Sequence, residues 1–302
     1  MKINIPWEWY RTFLAVMKEG SLSGAARRLA ITQPTAGRHI AALESALGLV
    51  LFTRSQTGLQ ATDAAVELKG HAQAMENTAM MIERSAASFS SDATGLRGVV
   101  RVAASEIIGT EVLPPVIAQI KEEYPQITVE LVLSNRVQDL LNREADIAVR
   151  MATPVQEQLI ARRMGRVEIG LHAAPAYLSR RGAPESIDEL LTHTLVGFDN
   201  LTPLILQALK QYPQLNRDLF TVRTDSDIAQ LNLIRAGAGI GMCQVQLADF
   251  SPPLQRIMPE YFAFHLDTWL VMHEDLRHSQ ACKRVFDFLA EGLQAYINRA
   301  KR

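Results

Sequence analysis

The feature that most constrains this chain is a run of residues whose apolar and small positions alternate steps of three and four without a break: Ala65, Leu68, Ala72, Met75, Ala79, Ile82, Ala86 and Phe89. That rhythm holds one narrow stripe on one side of an α-helix for about three heptads. The run contains no proline and a single glycine, Gly70, so one long helix is expected across it. Its flanks are mostly polar, which predicts that the stripe meets a second helix, most simply that of another copy of the chain, with the alanines permitting close approach. The competing reading is a long helix packed on its own domain. Either way the helix, over residues 63–92, separates a head, residues 1–62, from a larger body, residues 93–302.

The head is helical and basic. Trp9, Phe13, Val16 and Met17 recur at helical spacing, Gly20 stops the pattern, and Ser21 is placed to cap the next element. Ala25, Ala26 and Leu29 form a short second helix. Thr32 then serves as N-cap and Pro34 stands near the start of a third helix, in which Ala36, Ile40, Leu43 and Leu47 make a buried stripe opposite Thr35, Arg38 and Ala42. Two helices, a tight turn and a polar third helix are the parts of a helix-turn-helix, which seats its recognition helix in the major groove. The polar strip Arg54 to Gly58 after Leu51 and Phe52 predicts a short wing hairpin.

Charge supports that reading. The whole chain carries a formal −1, yet residues 1–60 hold seven Lys or Arg against Glu8, Glu19 and Glu44. A positive charge confined to one end suggests a nucleic-acid module on a neutral partner domain. The expected DNA-contacting residues are Arg28, Thr32, Gln33, Pro34, Thr35, Arg38, His39 and Arg54. Arg38 can bond guanine or phosphate, the Gln33 amide can read adenine, Thr35 offers hydroxyl and methyl, and His39 and Arg54 reach backbone phosphates. Any one of these arginines alone is as readily a solvated surface charge.

Strand-like and helical runs alternate in the body. Residues 99–104, 127–133 and 147–149 read as strands, with helices over 110–124 and 135–143. A second series follows at 167–173, 195–198, 220–223 and 240–243, with a helix over 226–236. Such alternation predicts a largely parallel sheet in two lobes, here placed at residues 93–164 with 268–302, and 165–267. Ligands favour the carboxyl ends of such strands. Ser105, Glu106, Ser134, Asn135, Arg150, Phe198, Asp199, Asn200, Thr224, Asp225 and Ser226 are therefore the expected cleft residues. Helix N-termini after Ser105 and Asp225 would suit a small anionic or polar ligand, with Arg150 as a cation. Taken singly, each Ser, Asn or Asp is more readily a helix cap than a ligand contact, and only their convergence argues for a ligand.

The chain resembles the LysR-type transcriptional regulators. The resemblance rests on Gly20-Ser-Leu-Ser-Gly-Ala-Ala-Arg-Arg-Leu29, Gln33-Pro34, Arg38, Ile40, Leu43-Glu44, Leu47-Gly48, Leu51-Phe52, Arg54 and Thr62. In the body it continues through Leu96-Arg97-Gly98, Leu113-Pro114, Tyr124-Pro125, Asp146-Ile147-Ala148 and Ala236-Gly-Ala-Gly-Ile-Gly241. It implies an α/β protein overall, with an N-terminal winged helix-turn-helix, a long linker helix and a C-terminal two-lobed periplasmic-binding-protein-like effector domain. It further implies a homodimer or homotetramer that binds double-stranded promoter DNA, with a small-molecule effector in the cleft; two cysteines outside any CxxC pair fit a reducing, cytoplasmic compartment, and no cofactor is expected. Two positions depart from the family pattern: Gly37 where serine is frequent, and Ala61 where a branched apolar residue is common.

The rival readings are an enzyme or a small-molecule-binding α/β protein without DNA function. Gly237, Gly239 and Gly241 follow a helix and feed a strand, the reverse of a dinucleotide fingerprint, and no P-loop, HExxH or GxSxG pattern occurs. The seven histidines show no metal-ligand spacing with Cys243 and Cys282. These two cysteines are too few for a disulfide framework, and Cys243 in an apolar strand reads as a structural thiol. No run of 18 apolar residues is present to span a bilayer.

Overall fold

The computed structural model describes residues 4–55, 58–89, 96–135, 145–151, 159–200, 205–206, 210, 212 and 216–299. Two compact units result, divided near residue 86.

The first unit begins with helices α1 (Trp7–Glu19), α2 (Leu22–Leu29) and α3 (Gln33–Leu47), followed by the hairpin β1 (Phe52–Ser55) and β2 (Gly58–Ala61) and the long helix α4 (Asp63–Phe89). The local signals act as the sequence dictates. Ser21 accepts the Gly24 N–H at 3.1 Å to open α2, and Thr32 accepts the Thr35 N–H at 3.3 Å to open α3. Gly20 and Gly48, both in the left-handed region, close α1 and α3. Phe13, Val16, Ala25, Leu43 and Leu51 meet in the core, with Ile40 beside them. Full burial of such a side chain stabilises by about 1.5–3 kcal/mol.

The α4 seam divides into two parts. Ala65 and Ala72 are buried in the head's own core and Leu68 packs against it, so the first turns of the stripe cover the helix-turn-helix. Met75 and Ile82 are exposed, as are Val66 and Met80 off the stripe. The expectation of a single stripe facing another helix is corrected for these first turns, because the core of the head covers them. The side chains of Ala86 and Phe89 lie outside the described residues.

The second unit carries β3 (Gly98–Ala104), α5 (Glu106–Glu111), α6 (Leu113–Glu123), β4 (Ile127–Leu133), β5 (Ile147–Arg150) and the 15-residue β6 (Leu159–Ala173). Next come α7 (Pro175–Arg181), α8 (Ile187–Leu190), β7 (Leu195–Phe198), β8 (Phe220–Thr224), α9 (Asp227–Arg235), β9 (Ile240–Gln244), β10 (Gln255–Ile257), β11 (Ala263–His273) and α10 (Gln280–Asn298). The helix expected over 110–124 is two helices, α5 starting earlier and α6 restarting at Leu113 with Pro114 in its first turn. The helix expected over 135–143 falls outside the described residues beyond Asn135.

The strands form one sheet in the order β4-β3-β5-β11-β6-β9-β7-β8, with β10 also on β6. Pairing is parallel within each half, β4-β3-β5 and β9-β7-β8, but antiparallel where β11 meets β5 and β6, and where β6 meets β9 and β10. The expectation of a largely parallel sheet is corrected at its centre. The long strands β6 and β11 pair along their lengths and carry the chain from one half to the other. Midway, Thr268 faces Gly165, and the register shifts between Thr268 and Trp269. Gly165 has φ +141°, open to glycine, and an added Cβ would press on Ile297 of α10 at 3.2 Å.

Candidate nucleic-acid interface and ligand cleft

The exposed side of α3 is built from its first two turns. Thr32, Gln33, Pro34 and Arg38 are exposed, and Thr35 is half-buried. Thr32 and Thr35 share a hydroxyl–hydroxyl bond of 2.8 Å, and Arg38 Nη2 donates to Thr35 Oγ1 at 3.3 Å. A guanidinium and two hydroxyls thus stand in a string along one face, all in reach of solvent. Gly37 lies beside them, and a Cβ there would meet Leu22 Cδ1 at an ordinary 3.7 Å. Packing within the head therefore does not require a glycine at this position.

The other candidates are placed differently. Arg28 is exposed on α2 and lies 3.6 Å from Glu19. Arg54 is exposed on β1, opposite Leu59. His39 turns inward: its Nδ1 is bonded to Thr12 Oγ1 at 2.8 Å, and Thr12 in turn donates to the Glu8 carbonyl. The His39 ring thereby fastens α3 to α1, a role that sequence spacing does not distinguish from a phosphate contact.

Two residues fix the wing. Glu44 Oε1 accepts the Leu51 and Phe52 N–H groups at 2.7 and 3.2 Å, and Thr62 Oγ1 donates to the Val50 carbonyl at 2.8 Å. At the hairpin tip Gly58 has φ +134°, and a Cβ there would stand 2.7 Å from the Gly20 carbonyl oxygen. The adjacent Leu59 N–H donates to that same carbonyl at 2.9 Å. Only glycine lets the wing close this tightly on the α1–α2 turn.

In the second unit, the carboxyl ends of β3, β4, β5 and β8 converge. Glu106 N–H donates to Asn135 Oδ1 at 3.1 Å, and Asn135 Nδ2 donates to Asp227 Oδ2 at 3.0 Å. Ser226 Oγ donates to Glu106 Oε2 at 2.9 Å, and the Ser226 N–H donates to Thr224 Oγ1 at 3.2 Å. Arg150, buried at 8% exposure, donates from Nη1 to the Ser134 carbonyl at 3.0 Å. Ser105 Oγ is shielded from solvent and has no hydrogen-bond partner among the described residues. Phe198 ends β7 beside Thr224, while Asn200 and Asp225 are exposed at the edge of this network.

Three details of the sequence reading change here. The cap of α9 is Ser226, which accepts the Ala229 N–H at 3.3 Å, and not Asp225. Ser105 precedes α5 without a side-chain cap bond, and the Glu106 N–H is already taken by Asn135. Arg150 is bonded to backbone rather than standing as a bare cation. The cleft also holds the carboxylates of Glu106 and Asp227. Burial raises the Asp227 carboxyl above its ordinary range, a bond from Asn135 opposes the shift, and the Glu106 charge adds to it. Asp227, Glu111 and Arg235 escaped the sequence reading, whereas Ser226 stands among the strand-end residues expected in the cleft.

Away from the cleft, Cys243 and His172 are buried neighbours, with Sγ 3.3 Å from Nδ1. Burial pushes the thiol up to about 12 and holds the imidazole down at about 4. A thiol in that state is unreactive, in keeping with the structural reading of Cys243. Among the described residues no group of three or more His, Cys, Asp or Glu is placed to hold a metal, and no helix is long and apolar enough to cross a membrane.

Residues 7–66 match the family model for the bacterial regulatory helix-turn-helix protein, lysR family, and residues 93–294 match that for the LysR substrate binding domain. The chain belongs to the LysR family. The LysR-type regulator CrgA of Neisseria meningitidis serogroup C is 31% identical over 200 residues, 66% of this chain and 64% of that one. A transcriptional regulator of Xanthomonas campestris pv. campestris is 29% identical over 60% of this chain and 52% of its own length, so the chain spans about half to two thirds of these relatives. Among solved structures, CrgA of Neisseria meningitidis aligns with TM-score 0.55 at 26% identity, covering 95% of this chain and 98% of that one. AphB of Vibrio cholerae aligns at TM-score 0.60 and 22% identity over 95% of this chain and 99% of its own, a likeness of fold.

Proposed function

We propose that this LysR-family chain is a transcriptional regulator that binds promoter DNA through α3 and the β1–β2 wing, and that a small polar effector in the cleft modulates that binding. The observation that carries the DNA half is the exposed Thr32–Thr35–Arg38 string on the third helix of a head whose net charge is positive. Gln33, Pro34, Arg28 and Arg54 flank it, and His39 acts by orienting α3 rather than by touching phosphate.

The effector half rests on the convergence of Ser105, Glu106, Ser134, Asn135, Arg150 and Thr224 at strand ends drawn from both halves of the sheet. The lining fits a neutral or donor-bearing ligand better than an anion, because Glu106 and Asp227 would repel one. A homodimer is the working assembly, with the exposed Met75 and Ile82 of α4 as its seam. The domain limits 1–62, 63–92 and 93–302, with lobes meeting near 164/165 and 267/268, belong to the same reading.

Selection from a random duplex pool by the full chain tests the DNA half. One enriched inverted repeat is expected, and Arg38→Ala should weaken binding to it by about 1–3 kcal/mol if a base contact is lost. Unchanged affinity with a folded variant would remove Arg38 from the interface. A thermal-shift panel of metabolites tests the effector half, since a ligand that binds the native state alone raises the melting temperature with concentration.

A further inference from the structure

Three polar bridges cross the cleft between the two halves of the sheet, and all of them end on α9 or its cap. Ser226 Oγ donates to Glu106 Oε2 at 2.9 Å, and Asn135 Nδ2 donates to Asp227 Oδ2 at 3.0 Å. Arg235 Nη1 and Nη2 donate to Glu111 Oε1 and Oε2 at 3.0 and 2.7 Å. The last pair is bidentate, with side chains only 11% and 15% exposed, so solvent and salt screen it weakly. The partners lie far apart in sequence, so these bonds exist only while α5 and the end of β4 stay against α9. At the centre of the sheet β6 and β11 carry the chain between the halves, with Gly165 facing Thr268 and a register shift beside it. Thr268 is buried there, and its hydroxyl has no hydrogen-bond partner among the described residues.

We infer that these bridges are a latch by which the ligand-free chain holds its own cleft shut. Two of the lining residues, Glu106 and Asn135, are already engaged by Ser226 and Asp227, so an effector binds by exchange and replaces those partners. The inference rests on the reading of this cleft as the effector site. An exchange makes apparent affinity proportional to the fraction of time the latch is open. Arg235 and Glu111 lie outside the lining, so they set that fraction without touching ligand and thereby fix the effector concentration at which the regulator responds.

The test compares the full-length chain with the double variant Glu111→Gln/Arg235→Gln, which removes both charges together and leaves neither buried alone. In backbone hydrogen exchange without any ligand, the latch predicts that α5 and the first turns of α9 exchange faster together, by about tenfold or more for loss of a charge-assisted pair. Amides in β6 and β11 should be unchanged. No change, a change in one helix alone, or uniform acceleration across the domain would overturn the latch. Any hit from the metabolite panel should bind the double variant several-fold more tightly, and equal or weaker binding would also overturn it. Coupled exchange of α5 and α9 with no ligand found would instead leave the latch standing and count against the cleft as an effector site.

Discussion

The head and the cleft handle their polar residues in opposite ways. On α3 the polar groups are exposed and bonded, where bonded at all, to neighbours one turn away: Thr32 to Thr35 and Thr35 to Arg38. In and beside the cleft the polar groups are bonded to one another across long stretches of chain: Glu106 to Ser226 and Asn135 to Asp227 in the lining, and Glu111 to Arg235 outside it. A surface that meets a large, highly charged partner can wait open, because water solvates its groups until the partner arrives. Groups that pair with one another between the two halves of the sheet are engaged before a ligand arrives, and a ligand there replaces those bonds.

The sharpest way to separate the two units that carry them is acid. His172 is buried in the second unit, and burial holds its ring at about 4. Its folded pKa is depressed below the unfolded value near 6.5, so the unfolded chain takes up the proton first as pH falls. The second unit is therefore expected to lose stability as pH drops from about 6.5 to 4, by roughly 3 kcal/mol in all, and to be insensitive to this group above that window. Chemical unfolding at a series of pH values, followed by a probe in each unit, reads this directly. A second unit no more acid-sensitive than the head, or a slope that survives His172→Gln, would break the distinction.

Smaller effects sharpen the comparison within the head. Glu44→Ala strips the acceptor from the Leu51 and Phe52 N–H groups and is expected to cost about 1–3 kcal/mol of stability, with most of it restored by Glu44→Gln. Equal losses in the two variants would show that the charge, and not the acceptor, holds the wing. Gly58→Ala forces a side chain into a left-handed position against the Gly20 carbonyl and should cost about 1–3 kcal/mol, seen as a lower melting temperature. Gly37→Ala acts in the other direction. The space is open and the helix gains, so the head should be stabilised by up to about 1 kcal/mol. If the same variant also weakens DNA binding, Gly37 serves close approach of the backbone to DNA; if not, it is simply tolerated.

How much was legible in the sequence follows from the same contrast. Ser21 and Thr32 cap helices, Gly20 and Gly48 end them, and Ala36, Ile40 and Leu43 face the core because each of these signals acts over three to seven residues. Periodicity also found β3, β4, β5, β7, β8 and β9 and the second half of β6. It did not find that β6 and β11 are long antiparallel strands through the middle of the sheet, since strand direction depends on partners a hundred residues away. The seam on α4 was misread in its first turns for a related reason. Ala65, Leu68 and Ala72 have the spacing of an intermolecular stripe, and only the tertiary fold shows that the head itself covers them. In the cleft, strand-end reasoning placed Ser105, Glu106, Asn135 and Thr224 near one another but gave no means of pairing them, and it put the α9 cap one residue early.

The central claim is that the basic head seats α3 on duplex DNA. Its most direct measurement is the affinity of the full chain for a selected duplex as a function of salt concentration, made in parallel with Arg38→Ala. The account predicts that log affinity falls linearly and steeply with log salt, and that loss of Arg38 lowers the affinity, with a shallower slope if the contact is to phosphate. Binding that is absent at low salt, or that is indifferent to salt, would contradict it.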